Sequence, residues 1–181
     1  MLMKVYKKIM AGRDVSEEEA REIAKIVGLS AIKYGDLSNQ ASKDYIFDIE
    51  RFTSFEGDTG PYILYTIVRI KSILNKYKEN GGSLSLTTLQ NATSVSEKEL
   101  MREVAKFNEV IENAANEIAP HKICAYIYDL SNAFNRFYHE TKILAEEDEE
   151  KKESYIALLL LTEKILETSI GVLGFEAAER M

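Results

Sequence analysis

Tryptophan is absent from the sequence, cysteine occurs once, and proline and histidine occur twice each in 181 residues. A single cysteine excludes a disulfide framework and a cysteine-built zinc site, and the place of Cys124 in the apolar run ICAYIY marks it as an inert packed thiol. His121 and His139 lie 18 residues apart, about 27 Å along one helix, too far to share a metal ion within it. No run approaches the roughly 18 consecutive apolar residues that a membrane span needs. The opening MLMKVYKKIMAGRD also lacks an apolar block followed by a small-residue cleavage site. A cytoplasmic protein without a membrane partner is therefore expected.

Phosphate-binding loops are missing too. The stretch EGDTG (56–60) has neither the lysine and hydroxyl of a Walker loop nor the glycine spacing of a dinucleotide turn, and its two carboxylates would repel a phosphate. No catalytic constellation stands out elsewhere. Charge is also lopsided: the formal net is −7, yet residues 1–80 carry 13 Lys and Arg against 12 Asp and Glu, while residues 81–181 carry 10 against 18. The acidic run AEEDEEKKE (145–153) is expected to be a solvated turn between helices.

What is present is helical periodicity. After Ser16, with Glu19 three residues on as in a capping box, Ala20, Ile23, Ala24, Val27, Ala31 and Tyr34 form one apolar face. Residues 36–57 lose this period and are expected to be irregular, with at most short helical turns. A second helix is predicted from Pro61, capped by residues 58–60, with Ile63, Ile67, Ile70, Leu74 and Tyr77 as its buried stripe. Beyond a loop at 80–93, a third helix from Ser96 is expected to bury Leu100, Val104, Phe107, Ile111, Ala114 and Ile118. A fourth begins at Pro120 with Ile123, Ile127, Leu130, Phe134 and Phe137, and a fifth carries Ile156, Leu159, Leu160, Leu166, Ile170 and Leu173 before a stop at Gly174.

On the other side of the helix at 61–78, Tyr62, Tyr65, Arg69, Ser72 and Lys76 share one surface. Such a stripe is more often packed tyrosine beside solvated cations. It also has the composition of a stacking platform for unpaired RNA bases, with cations for the phosphates.

The stretches AIKYGDLS (31–38), DYIFDIERFTSFEGDTGPYILYTIVRI (44–70), HKICAYIYDLSNAFNRFYHETKIL (121–144) and GFEAAERM (174–181) together resemble, in order, the C-terminal part of the class I arginyl-tRNA synthetase family. The resemblance implies an all-α bundle of the anticodon-binding type with N-terminal connecting helices. Residues 1–57 would be a connecting, stem-contact segment and residues 58–181 the anticodon-binding bundle. It implies tRNA as the partner, through the arginine-accepting anticodon loop, together with an upstream catalytic domain; neither DNA nor a membrane is implied. The family's HIGH and KMSKS signatures are absent from this sequence. ATP with Mg therefore belongs to the parent enzyme's catalytic domain, no cofactor is expected here, and this piece alone should not aminoacylate.

Position by position, Tyr62 and Tyr65 match the tyrosines of the family's P-Y-x-x-Y. Tyr138 matches an aromatic at the end of the helix carrying AYIYDL, and Met181 matches the terminal methionine beside the anticodon bases. Arg69 matches an arginine common in the family, and its RNA contact follows from the stripe. Lys71 and Lys76 are expected to meet phosphates. Two departures accompany the match: Leu64 and Thr66 flank Tyr65 where many members have Gln and Ala, and Ala178 stands where many have proline. The alternative expectation is a helical protein-interaction module without RNA binding, favoured by the acidic second half.

Overall fold

The computed structural model describes residues 16–86 and 89–181, and among them every regular element is helical. In chain order these are α1 (Glu17–Leu37), the single turn α2 (Ile49–Phe52), α3 (Gly60–Glu79), α4 (Val95–Ala105), α5 (Phe107–Asn116), α6 (Pro120–Glu140), a 3-10 turn (Ile143–Ala145) and α7 (Glu149–Val172). The all-α expectation is met. Local chemistry sets most boundaries: Ser16, Thr59, Ser94 and Asp148 each accept a backbone N–H of the first turn that would otherwise lack a partner. Pro61 occupies the first turn of α3, where its missing N–H costs nothing. At the far end of α7, Gly174 takes φ 82° and lets Phe175 N–H close on the Ile170 carbonyl at 3.1 Å.

α7 packs against α3, α4 and α6. Its residues from Ser154 to Leu159 are buried on every side, and the buried hydroxyls of Thr162 and Ser169 donate back to the Leu158 and Ile165 carbonyls. α3 packs against α1, α6 and α7, and α6 packs against α4 and α5. Ile23, Val27 and Tyr34 of α1 belong to the same core as Ile63, Ile67 and Ile70 of α3 and Ile127, Leu130 and Phe134 of α6. Gly60 is required where α1 and α3 meet, because a Cβ there would come within 2.4 Å of the Ser30 carbonyl oxygen. The fully buried Tyr34 places its hydroxyl 2.5 Å from Asp58 Oδ1 and 2.9 Å from the Cys124 carbonyl. It thereby ties α1 and α6 to the turn that launches α3. Cys124 is fully buried, and that burial pushes its thiol up to about 12.

Three expectations fail. The helix expected from Ser96 to Ile118 is two helices broken at Lys106. Ile118, expected in the core, is 87% exposed with φ 49°. Pro120 disfavours continuing the helix, so the chain closes with Ala119 N–H on the Ala114 carbonyl at 2.8 Å and turns the Ile118 side chain outward. The acidic run at 145–153 is not wholly solvated either. Lys151 is buried and donates to Glu97 Oε1 at 2.6 Å and to the Asn91 carbonyl at 3.0 Å, while Glu97 accepts from Thr93 N–H at 2.7 Å. That pair pins the loop before α4 onto α7. Residues 1–15 of the expected connecting segment lie outside the described residues.

Candidate nucleic-acid interface

The Thr59 hydroxyl that caps α3 accepts from Tyr62 N–H at 3.2 Å, which fixes where the first tyrosine leaves the helix. Tyr65 and Arg69 follow on the same side, at roughly the spacing of one turn each. α6 lies alongside and offers Asn132, Asn135 and Tyr138 at every third residue. The two helices meet here through polar and aromatic groups rather than through the isoleucine stripe.

Arg69 stands between two rings: its guanidinium carbon is 4.8 Å from the centre of the Tyr65 ring and 5.1 Å from that of Tyr138. Tyr138 in turn lies nearly parallel to the buried Phe134, with ring centres 6.1 Å apart. Tyr65 and Tyr138 remain 36% and 38% exposed, so the pile opens to solvent. No carboxylate among the described residues forms an ion pair with Arg69. Its charge is held by ring faces and by a hydrogen bond donated to Asn135 Oδ1.

Beneath the pile runs a chain of hydrogen bonds. Asn135 Nδ2 donates to the Tyr62 hydroxyl at 2.9 Å and reaches Thr66 Oγ1 at 3.3 Å; the Tyr62 hydroxyl donates to Asn132 Oδ1 at 2.7 Å. Tyr62 is half-buried, packs edge-on against Tyr128 at 5.7 Å, and has its phenol raised above the ordinary range chiefly by burial. Asn132 and Asn135 are absent from the sequence-derived set. Their three-residue spacing with Tyr138 was a visible signal, but only the neighbouring α3 makes it meaningful.

The structure brings Tyr62, Tyr65, Arg69 and Tyr138 together. Lys71 does not join them: two residues after Arg69 is about 200° round the helix. There its ammonium lies 2.8 Å from Glu167 and 2.7 Å from Glu179, with the side chain only 11% exposed. Burial alone would lower its pKa; the two carboxylates outweigh that and raise it. Met181 is buried as well, at 8% exposure, and the tail before it is tied down by Glu179 to Lys71 and by Arg180 to Glu19 of α1. Lys76, one heptad beyond Arg69, is exposed on the same side as the rings.

A bundle of this build, with an aromatic and cationic face along one helix pair, has the form of a helical anticodon-binding domain. The pattern of the DALR anticodon binding domain matches residues 63–181, more than half of the sequence, and the chain belongs to that family. The arginine–tRNA ligase of Agathobacter rectalis is 64% identical over 170 residues, 93% of this chain and 28% of that protein. That of Alkaliphilus oremlandii is 51% identical over 177 residues, 98% of this chain and 30% of its own length. The solved arginyl-tRNA synthetase of Thermus thermophilus superposes with a TM-score of 0.84 at 28% identity, over 99% of this chain and 31% of that one. The chain spans less than a third of the length of these relatives.

Proposed function

We propose that this chain is the anticodon-binding part of an arginine–tRNA ligase and that the face formed by α3 and α6 receives unpaired bases of the anticodon loop. The observation that carries this is the solvent-open pile of Tyr65, Arg69 and Tyr138. Rings and guanidinium planes are both stacking surfaces for splayed-out bases, and each stacked base contributes about 1–3 kcal/mol. Tyr62 supports the pile from below, and Arg69 with Lys76 supplies positive charge along the same side. An apolar contact from Met181 requires the tail to lift from its ion pairs. Activation of arginine with ATP and Mg, and transfer to tRNA in the cytoplasm, would fall to the remaining length of the enzyme. No helix among the described residues is long and apolar enough to cross a membrane.

An interaction role has one observation of its own. Tyr45, Phe47 and Ile49 are exposed and Ile46 is 88% exposed, a strip held to α1 by the Tyr45 hydroxyl, which donates to Asp36 Oδ1 at 2.9 Å; Leu29 and Ile32 of α1 are exposed as well. In the present proposal this strip packs against the rest of the longer enzyme, with residues up to 57 as the connecting segment and 58–181 as the RNA-binding bundle. The test is a fluorescence-anisotropy titration of the chain with an arginine-tRNA anticodon stem-loop and with the same hairpin carrying a scrambled loop. Preference for the first, lost in Tyr65→Ala and Tyr138→Ala with helical ellipticity unchanged, supports RNA recognition by this face. Equal binding of both hairpins, or wild-type affinity in both variants, refutes it.

A further inference from the structure

The hydrogen-bond chain under the rings has a direction, and that direction ends at the surface. Arginine can only donate, so the atom of Asn135 that faces Arg69 must be its carbonyl oxygen. Its Nδ2 is thereby turned to Tyr62, whose oxygen accepts at 2.9 Å. The single proton of Tyr62 then goes the other way, to the Asn132 atom 2.7 Å off, which must be an oxygen. Burial reinforces this by keeping the Tyr62 phenol protonated. Asn132 is left exposed, with its carbonyl engaged by Tyr62 and no described partner on its Nδ2, one turn before Asn135 on α6. The amide orientations follow from one permanently charged donor and are not interchangeable.

We infer that Asn132 is a specificity-determining residue, a fixed hydrogen-bond donor that reads the acceptor edge of a base stacked at Tyr65, Arg69 and Tyr138, with Arg69, Asn135 and Tyr62 as the positioning residues that set its polarity. The inference rests on the RNA-binding reading above and adds the chemistry of the edge that is read. Bases that present a carbonyl or an unprotonated ring nitrogen at this point are favoured, and those presenting an N–H or amino group set a donor against the Asn132 donor. Because the Asn132 oxygen is engaged, the residue does not make the two-point contact of a free asparagine with adenine.

The experiment uses the full chain and synthetic hairpins whose loop positions are replaced in turn by each of the four bases and by an abasic residue. At one loop position wild-type affinity should vary about tenfold among the bases, the scale of one well-made donor contact. Asn132→Ala should flatten that variation to less than about threefold while binding the abasic hairpin as the wild type does. Tyr62→Phe keeps the ring but removes the relay hydroxyl, and it should flatten the same position and no other. If Tyr65→Ala weakens binding while both variants keep the full base spread, Asn132 is not the reader and only this inference is lost. If the wild type binds no hairpin, the RNA reading fails and takes this inference with it.

Discussion

Arg69 and Lys71 stand two residues apart on α3, and the protein treats their charges in opposite ways. Lys71 is enclosed between Glu167 and Glu179 and cross-links α3, α7 and the tail. Arg69 is given two ring faces and an amide, and no described carboxylate. Lys151 is the extreme of the first kind, buried in a pair with a carboxylate that is itself fully buried. In an acidic protein a cation is readily consumed by a neighbouring carboxylate, so a cation kept among rings marks the side on which charge is presented outward. Net charge says little about binding; the placement of individual cations says more.

The difference between inward and outward cations can be pressed with substitutions. Lys151→Met leaves Glu97 buried without its partner and should lower unfolding stability by about 3–5 kcal/mol in a urea titration. RNA affinity of the fraction that stays folded should not change. On the other side, Tyr65→Ala combined with Tyr138→Ala should weaken hairpin binding roughly thirtyfold, with stability nearly untouched because both rings are more than a third exposed. Arg69→Gln should weaken binding roughly tenfold at low salt, by loss of stacking and charge together. Lys71→Met should do the reverse, lowering stability by about 1 kcal/mol with hairpin affinity kept within about twofold. A Lys71 variant that lost RNA binding as Arg69→Gln does would erase the distinction between the two sides.

Much of this division was legible in the chain. The isoleucine stripe of α3, its start at Thr59 and Pro61, and the stop at Gly174 are local signals, carried by period, cap and turn within a few residues. The Tyr62, Tyr65 and Arg69 stripe was visible for the same reason. What the sequence did not show is non-local. Lys71 reads as a surface lysine until α7 and the tail bring two glutamates to it from about a hundred residues away. Lys151 sits in an acidic run that looks solvated, and only the fold places Glu97 against it. Asn135 joins Arg69 to Tyr62 because α6 lies beside α3, a pairing that no spacing along the chain encodes. Periodicity alone puts Ile118 on the inner face of a longer helix, whereas Pro120 disfavours that continuation and Ile118 takes φ 49°.

The dependence of hairpin affinity on salt separates the two cations in one measurement. The logarithm of Kd against the logarithm of salt concentration should be shallower by about 0.7 for Arg69→Gln than for the wild type, the increment of one phosphate-neutralising charge on single-stranded RNA. For Lys71→Gln the slope should be unchanged. Equal slopes for the wild type and Arg69→Gln, or a shallower slope for Lys71→Gln alone, would contradict the assignment of RNA binding to the face formed by α3 and α6.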